Sequence, residues 1–159
     1  MIFFSGFSSR GDPMSMPVRL LLLSVLSFVS MGGCASPYEA TDLDGTWLGR
    51  DHTINSRGKS LTDKSVKLVV DGNGLVRGTT SWHLVEGDGG DKVDVPVDAD
   101  SEDIIGVFEP ESGEFYLVEM RENGIWRGRM LSRNRLRAFL FQSGEKPVVS
   151  TIELERKID

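Results

Sequence analysis

The sequence contains few of the residues that form disulfide bonds or bind metal ions. Its 159 residues include one cysteine and two histidines. A single cysteine excludes an intrachain disulfide and any zinc site made of several cysteines. The histidines, His52 and His83, are expected on outward strand faces, where two isolated imidazoles make a poor metal site. We therefore expect neither a bound metal nor a cofactor.

An excess of positive charge and a catalytic motif are also missing. The formal net charge is −6 at pH 7, which argues against nucleic acid as an electrostatic partner. No Gly-x-Ser-x-Gly elbow or comparable motif occurs, so no base is evident that would activate a nucleophile. These absences favour a protein that is not an enzyme. The apolar content of 39%, with 18 glycines and 6 prolines, is nevertheless typical of a folded domain.

The N-terminal part has the pattern of an export signal. Arg19 precedes an apolar run of ten residues from Leu20 to Val29. Ten helical residues span about 15 Å, roughly half of a bilayer core, so the run fits a signal peptide rather than a transmembrane helix. A complete signal begins at Met16, and we interpret residues 1–15 as an over-extended gene start.

The segment that follows, Met31-Gly32-Gly33-Cys34, resembles the lipobox of bacterial lipoproteins. The resemblance implies that residues 1–33 are a cleaved signal peptide and that Cys34 is lipidated, with residues 34–44 forming the lipidated end and a short tether. Such a protein would be anchored to a membrane of the cell envelope, on its periplasmic or extracellular face, because several acyl chains suffice for stable attachment. Cleavage after Ala35 would instead remove the cysteine and release a secreted protein.

From Gly45 onward the apolar residues alternate with a period of two, and turn residues interrupt the pattern repeatedly. The pattern predicts strands at 46–54, 64–70, 75–85, 92–97, 103–109, 114–121, 124–132, 135–142 and 147–156. The segment 92–97 contains Pro96, so it is expected at an edge. Short sequential hairpins favour closure, which removes sheet edges. We therefore predict an all-β domain over residues 45–157, a single antiparallel up-and-down barrel of eight to nine strands.

Matching of apolar faces predicts the registers of the hairpins. The loop at 71–74 favours a three-residue form that pairs Asp71 with Leu75, because this form brings apolar residues opposite each other. The same reasoning at 122–124 turns Tyr116, Val118 and Met120 toward the interior.

Gly45-Thr46-Trp47, at the start of the first strand, resembles the Gly-x-Trp pattern of the calycins, the lipocalin and avidin-like barrels. In lipocalins this tryptophan closes the barrel floor, and an arginine late in the last strand packs across it. The resemblance implies these roles for Trp47 and Arg156. The chain from Ile105 to Lys157 is also similar to small secreted bacterial domains that open with Gly-Thr-Trp, a group without an assigned activity.

The acidic stretch from Asp88 to Asp103 invites comparison with a calcium loop. Counted from Asp98, carboxylates fall at positions 1, 3, 5 and 12 of such a loop. Position 6, however, is Asp103 where the sharp turn needs glycine, and the flanks have the pattern of strands rather than helices. We interpret the stretch as a solvated acidic loop.

A barrel of eight strands is either filled by its side chains or able to hold one small ligand. Pairing Leu131 with Leu136 across the loop at 132–135 predicts that Arg137, Phe139 and Phe141 face the interior. The residues expected to line the ligand are Trp47, Trp82, Trp126, Phe139 and Phe141, with Arg137 orienting a negative group and Asp51 beside it. We thus predict a non-catalytic binding module for a small apolar or amphiphilic ligand in the barrel mouth. The alternative is a structural or protein-interaction module, including a protease-inhibitor-like one, whose barrel is packed solid.

Overall fold

Eight antiparallel strands close into a barrel. The computed structural model describes residues 36–87 and 97–158, which lie in the unit Gly33–Asp159. After a short 3₁₀ helix at Ala40–Leu43, the strands are β1 (Gly45–Asn55), β2 (Gly58–Val70), β3 (Leu75–Gly87), β4 (Ala99–Glu109), β5 (Glu114–Glu119), β6 (Gly124–Ser132), β7 (Arg135–Gln142) and β8 (Val148–Arg156). Each strand pairs with the next, and β8 pairs with β1. The predicted up-and-down barrel is therefore confirmed, with eight strands.

Some of the predicted features lie outside the described residues. These are Cys34 with the signal before it, the acidic residues between 88 and 96, and the expected strand at 92–97 apart from Val97. Within the two described ranges, no helix is long and apolar enough to cross a membrane.

The barrel interior changes character from one end to the other. Every second residue of β2 from Ser60 to Val70 is buried, which is the alternation expected of a strand with one face inward. Toward the end where the chain enters β1, the buried residues are apolar, including Val66 and Leu68. Toward the opposite end they are polar, including Thr53 and Thr62. We name these the closed end and the mouth.

Trp47 and Arg156 lie together at the closed end. The Trp47 side chain is fully buried, and its Nε1 donates a hydrogen bond to the carbonyl of Leu43 at 3.0 Å. The Arg156 guanidinium lies 4.2 Å from the Trp47 ring centroid, a cation–π geometry. It also donates hydrogen bonds to the backbone carbonyls of Asp42, Asp44 and Arg133. This is the arrangement that the calycin resemblance implies for the two residues.

The predicted register of the β2–β3 hairpin is confirmed. The Asp71 amide donates to the Leu75 carbonyl at 3.0 Å, and Val70 lies opposite Val76. Gly74 has a φ of +77°, a backbone conformation that glycine adopts at little cost. The three-residue loop therefore puts the apolar residues of both strands on the inner face.

The predicted register of the β5–β6 hairpin is wrong. The loop contains four residues, 120–123, and Leu117 lies opposite Trp126. Asn123 takes a φ of +58°, so the left-handed residue of this turn is the asparagine rather than Gly124. The shift turns Phe115, Leu117 and Glu119 inward and leaves Tyr116, Val118 and Met120 exposed.

The predicted register of the β6–β7 hairpin is also wrong. Ser132 lies opposite Arg135 next to the turn, but the register shifts between Met130 and Ser132. This irregularity adds one residue to β6, and a one-residue slip exchanges the two faces of the partner strand. As a result Leu136, Ala138 and Leu140 are buried, whereas Arg137, Phe139 and Phe141 face outward.

Candidate functional site

A small pocket opens at the mouth of the barrel. Its volume is about 80 Å³. This space admits a few water molecules or one small chemical group. The lining residues that carry hydroxyl groups are Thr53, Ser60, Thr62, Thr80 and Ser101, and the apolar ones are Trp82, Leu84, Leu140 and Val148. The pocket is therefore amphiphilic.

Glu119 is the most deeply buried acid of this pocket. It closes β5 on the inner face, with 6% of its surface exposed. Its Oε1 accepts a hydrogen bond from Trp126 Nε1 at 2.9 Å. The missing side chain of Gly124 makes room for the carboxylate, because a Cβ built there would overlap it. Burial raises the pKa of Glu119 to about 7, against the opposing effect of the Trp126 hydrogen bond.

Lys64 lies beside the pocket at the centre of β2. It is 6% exposed, and it stands next to the lining residue Thr62 along the inner face of the strand and opposite Trp82 on β3. Burial lowers the pKa of Lys64 to about 8, although attraction to Glu119 and Asp51 opposes this effect. Among the described residues, the interior thus holds a cation, Lys64, and an acid, Glu119, whose charged forms are both disfavoured by burial.

Two acids, Glu102 and Glu122, form a rim above Glu119, and ion pairs and backbone hydrogen bonds hold them in place. Glu122 accepts hydrogen bonds from Gln142 Nε2 at 3.2 Å and from Lys146 Nζ at 2.9 Å. Glu102 Oε2 accepts the backbone amides of Arg121 at 2.9 Å and of Glu122 at 3.3 Å. These contacts hold the β5–β6 turn over the pocket and occupy the rim carboxylates. Glu119 differs, since no group in the described residues donates to its Oε2.

Side chains reinforce the seam between β1 and β8 near the pocket. Thr53 Oγ1 donates to Ser150 Oγ at 3.2 Å, and Ser150 Oγ donates to the His52 carbonyl at 3.0 Å. Asp51 Oδ2 accepts the backbone amide of Glu153 at 2.8 Å. The Asp51 carboxylate thus bridges the β1–β8 seam and does not pair with Arg137, the partner that the sequence predicts for it.

The structure brings together only part of the ligand-lining set expected from the sequence. Trp82 lines the pocket, and Trp126 supports it by holding Glu119. Trp47 lies at the opposite, closed end. The expected placement of Arg137, Phe139 and Phe141 at the mouth is wrong, because the β6–β7 register shift puts them on the outer surface.

Two residues that sequence reasoning missed are Glu119 and Lys64. The inward alternation of β2 includes position 64, so the pattern itself pointed to a buried lysine there. Glu119 was hidden by the incorrect register of its hairpin.

His52 and His83 are on the outward strand faces, as predicted. Among residues 36–87 and 97–158, no three His, Cys, Asp or Glu side chains are grouped closely enough to hold a metal ion.

No protein-family model matches the chain, and no curated protein sequence matches it. Solved structures that are similar to it include three small proteins. A de novo designed fluorescence-activating β-barrel shows 15% identity over 74% of this chain and 96% of its own, with a TM-score of 0.46. EF1p2_mFAP2b bound to DFHBI shows 13% identity over 77% and 100%, with a TM-score of 0.49. The S-type phycobiliprotein lyase CPES from Guillardia theta shows 6% identity over 76% and 91%, with a TM-score of 0.45.

Proposed function

We propose that this protein is a non-catalytic barrel that binds a small amphiphilic molecule at its mouth. The observation that carries the proposal is Glu119, an acid 6% exposed that lines an open pocket. Burying a carboxyl group without full hydrogen bonding is costly. A structural role alone would be served better by a neutral side chain, such as the threonines and serines that are buried near it. A ligand that donates a hydrogen bond to Glu119 would offset the cost of burying its carboxyl group.

The size and charge of the pocket support one class of ligand. About 80 Å³ admits a head group only, so an attached chain would lie over the rim, against Trp82 and Leu84. Among the described residues, the acids Asp100, Glu102, Glu119 and Glu122 line the pocket, against the lining cation Lys146 and the buried Lys64 beside it. This balance favours a head group that donates hydrogen bonds, such as a primary amine. An anionic head group, which the expected inward position of Arg137 favoured, would lack that arginine and would face four acids.

A fluorescence titration with matched amphiphiles tests the proposal. Octylamine and octanoate share a chain length and differ in head-group charge. We expect octylamine to change tryptophan emission, since Trp82 lines the pocket and Trp126 binds its acid. Its affinity should exceed that of octanoate by at least about tenfold, the equivalent of one charge-assisted hydrogen bond.

The variant Glu119→Gln should remove most of this preference, whereas Glu155→Gln on the outer surface of β8 should retain it. Equal affinity for both probes, or a preference for octanoate, would contradict the proposed ligand class. No saturable response to any amphiphile would argue against the binding function itself.

We further propose that the protein is an envelope lipoprotein anchored through Cys34. Support comes from the path of the residues that follow it. The Tyr38 hydroxyl donates to the Met130 carbonyl at 3.4 Å, and its ring packs on Gly113 at the closed end. An anchor just before Ser36 would hold the closed end toward the membrane and leave the mouth free. Replacement of Cys34 by serine should release the protein from membranes, and retention after a salt wash would refute the anchor.

A further inference from the structure

The outer surface of β4–β7 carries a patch of twelve residues in three rows, which we name the β4–β7 face. Each row follows the hydrogen-bonded register from β4 through β5 and β6 to β7. The apolar row is Ile105, Val118, Ile125 and Phe141. The middle row is Val107, Tyr116, Arg127 and Phe139. The charged row is Glu109, Glu114, Arg129 and Arg137.

The apolar part of this face is large for a solvent-exposed surface. Its seven apolar and aromatic side chains are each 41 to 52% exposed. At about 80 Å² each they expose roughly 550 Å², which is at the upper end for a monomer. With the charged row the face approaches the roughly 800 Å² that each partner contributes to a standard protein interface. A surface of this size and composition is typical of an interaction site.

The charges of the face are arranged so that the face complements itself. Glu109 and Glu114 lie on the β4–β5 side of the charged row, and Arg129 and Arg137 lie on the β6–β7 side. Glu114 and Arg129 are paired across β5 and β6, so the negative and the positive charges lie at the same level along the strands. A two-fold axis along the β5–β6 seam would place each acid of one copy over an arginine of the other.

The same axis also matches the other two rows. It would put Val118 over Ile125 and Ile105 over Phe141. In the middle row it would put Tyr116 over Arg127, a pair that already makes a cation–π contact of 5.7 Å within the chain. A shallow depression of about 480 Å³ between Phe139, Phe141 and the arginines offers space for the aliphatic side chains of β4.

We propose that the β4–β7 face is a homodimer interface, in which two copies pack face to face about an axis along the β5–β6 seam. Such an isologous contact needs a patch that complements itself under a two-fold rotation. A purely acidic or purely basic partner would fit half of the charged row and repel the other half. The existing exposed ion pairs, Arg127 with Glu114 and Arg137 with Glu153, contribute little and can exchange partners.

Sedimentation equilibrium of the full chain from about 1 to 100 µM tests this proposal. We expect the wild type to be a dimer in this range. Ile125→Lys should weaken the dimer at least about tenfold, because it buries a charge in the apolar row. Val69→Lys is the matched control, since Val69 is an exposed residue on the outer surface of β2, away from the face. It should leave the dimer intact.

A charge reversal separates interface effects from folding effects. Arg129→Glu should weaken the dimer, because it sets acids against acids across the axis. The double variant Arg129→Glu with Glu114→Arg should restore it, since the swapped face complements itself again. A wild type that stays monomeric, an Ile125→Lys variant that dimerises like the wild type, or a double variant without rescue would each overturn the proposal.

Discussion

At the scale of single residues, Glu119 and Lys64 define the chemistry of the interior. Both are nearly inaccessible to solvent, at 6% exposure each. Burial raises the pKa of the acid to about 7 and lowers the pKa of the lysine to about 8. Each group therefore destabilises the fold when it is charged, and a bound ligand with a positive head group would relieve this cost at Glu119.

The pH dependence of stability should report the burial of Glu119. The folded state holds the Glu119 carboxyl proton more tightly than the unfolded state does. Protonated Glu119 therefore stabilises the fold fully below about pH 4.5, and this stabilisation is lost as the pH rises through about 7. Urea denaturation should show that the wild type loses roughly 3 kcal/mol over this interval relative to Glu119→Gln. Glu155→Gln should follow the wild type. If the unfolding free energies of the wild type and Glu119→Gln changed in parallel with pH, the raised pKa of Glu119 would be contradicted.

Because of the buried Lys64, we expect the unfolding free energy to change in the opposite direction at higher pH. The folded state holds its proton less tightly, so wild-type stability should rise between about pH 8 and 10.5. Lys64→Met should lack this rise and should be more stable than the wild type at pH 7 by about 1–3 kcal/mol, because an apolar side chain of similar length replaces a buried cation. Lys67→Met, on the outer face of the same strand, provides the control. A destabilised Lys64→Met variant would show that the ammonium is well compensated.

At the scale of elements, the hairpin loops decide which side chains reach the pocket. A β5–β6 loop one residue different in length would put Val118 in place of Glu119 on the inner face. Asn123 sets this length, with a φ of +58°. The apolar pattern of β5 does not reveal the register, because Phe115 and Leu117 on one face and Tyr116 and Val118 on the other are equally apolar.

Substitution of Asn123 tests the role of the loop. Asn123→Gly should be neutral or slightly stabilising, because glycine adopts positive φ readily. Asn123→Val should lower the unfolding free energy by about 1–2 kcal/mol, since a β-branched residue is strained there. Thermal unfolding of both variants measures the difference. Equal stability of the two variants would show that the left-handed conformation at residue 123 does not fix the turn.

The fold and one of the three hairpin registers could be predicted from the sequence. Periodicity and turn residues predict the all-β barrel and seven of its eight strands within a few residues at most ends, while β2 begins earlier than expected. The β2–β3 register could be predicted because only one of the two loop lengths buries apolar residues on both strands. The bulge in β6 has no signature in composition, so the outward position of Phe139 and Phe141 could be found only in the structure.

At the scale of the whole molecule, Arg156 ties the last strand to the segment before the first. Its guanidinium stacks on Trp47 and binds the carbonyls of Asp42, Asp44 and Arg133. Arg156→Ala should lower the unfolding free energy by about 3 kcal/mol, because it removes the stacking and leaves several carbonyls without donors.

Arg135→Ala, which breaks an exposed ion pair with Glu153, should cost less than about 1 kcal/mol. Urea denaturation measures both variants. A cost for Arg156→Ala no greater than that for Arg135→Ala would show that the closed end does not depend on this contact.

Native mass spectrometry of the protein exported from a bacterial host tests the central claim most directly, by comparison with the denatured mass. The pocket around Glu119 predicts a discrete extra mass of a small amphiphile, present in the native protein and absent after denaturation. The same measurement on Glu119→Gln should show a reduced occupancy. A folded wild-type protein with no added mass, which also takes up none when incubated with octylamine, would contradict a ligand-binding mouth.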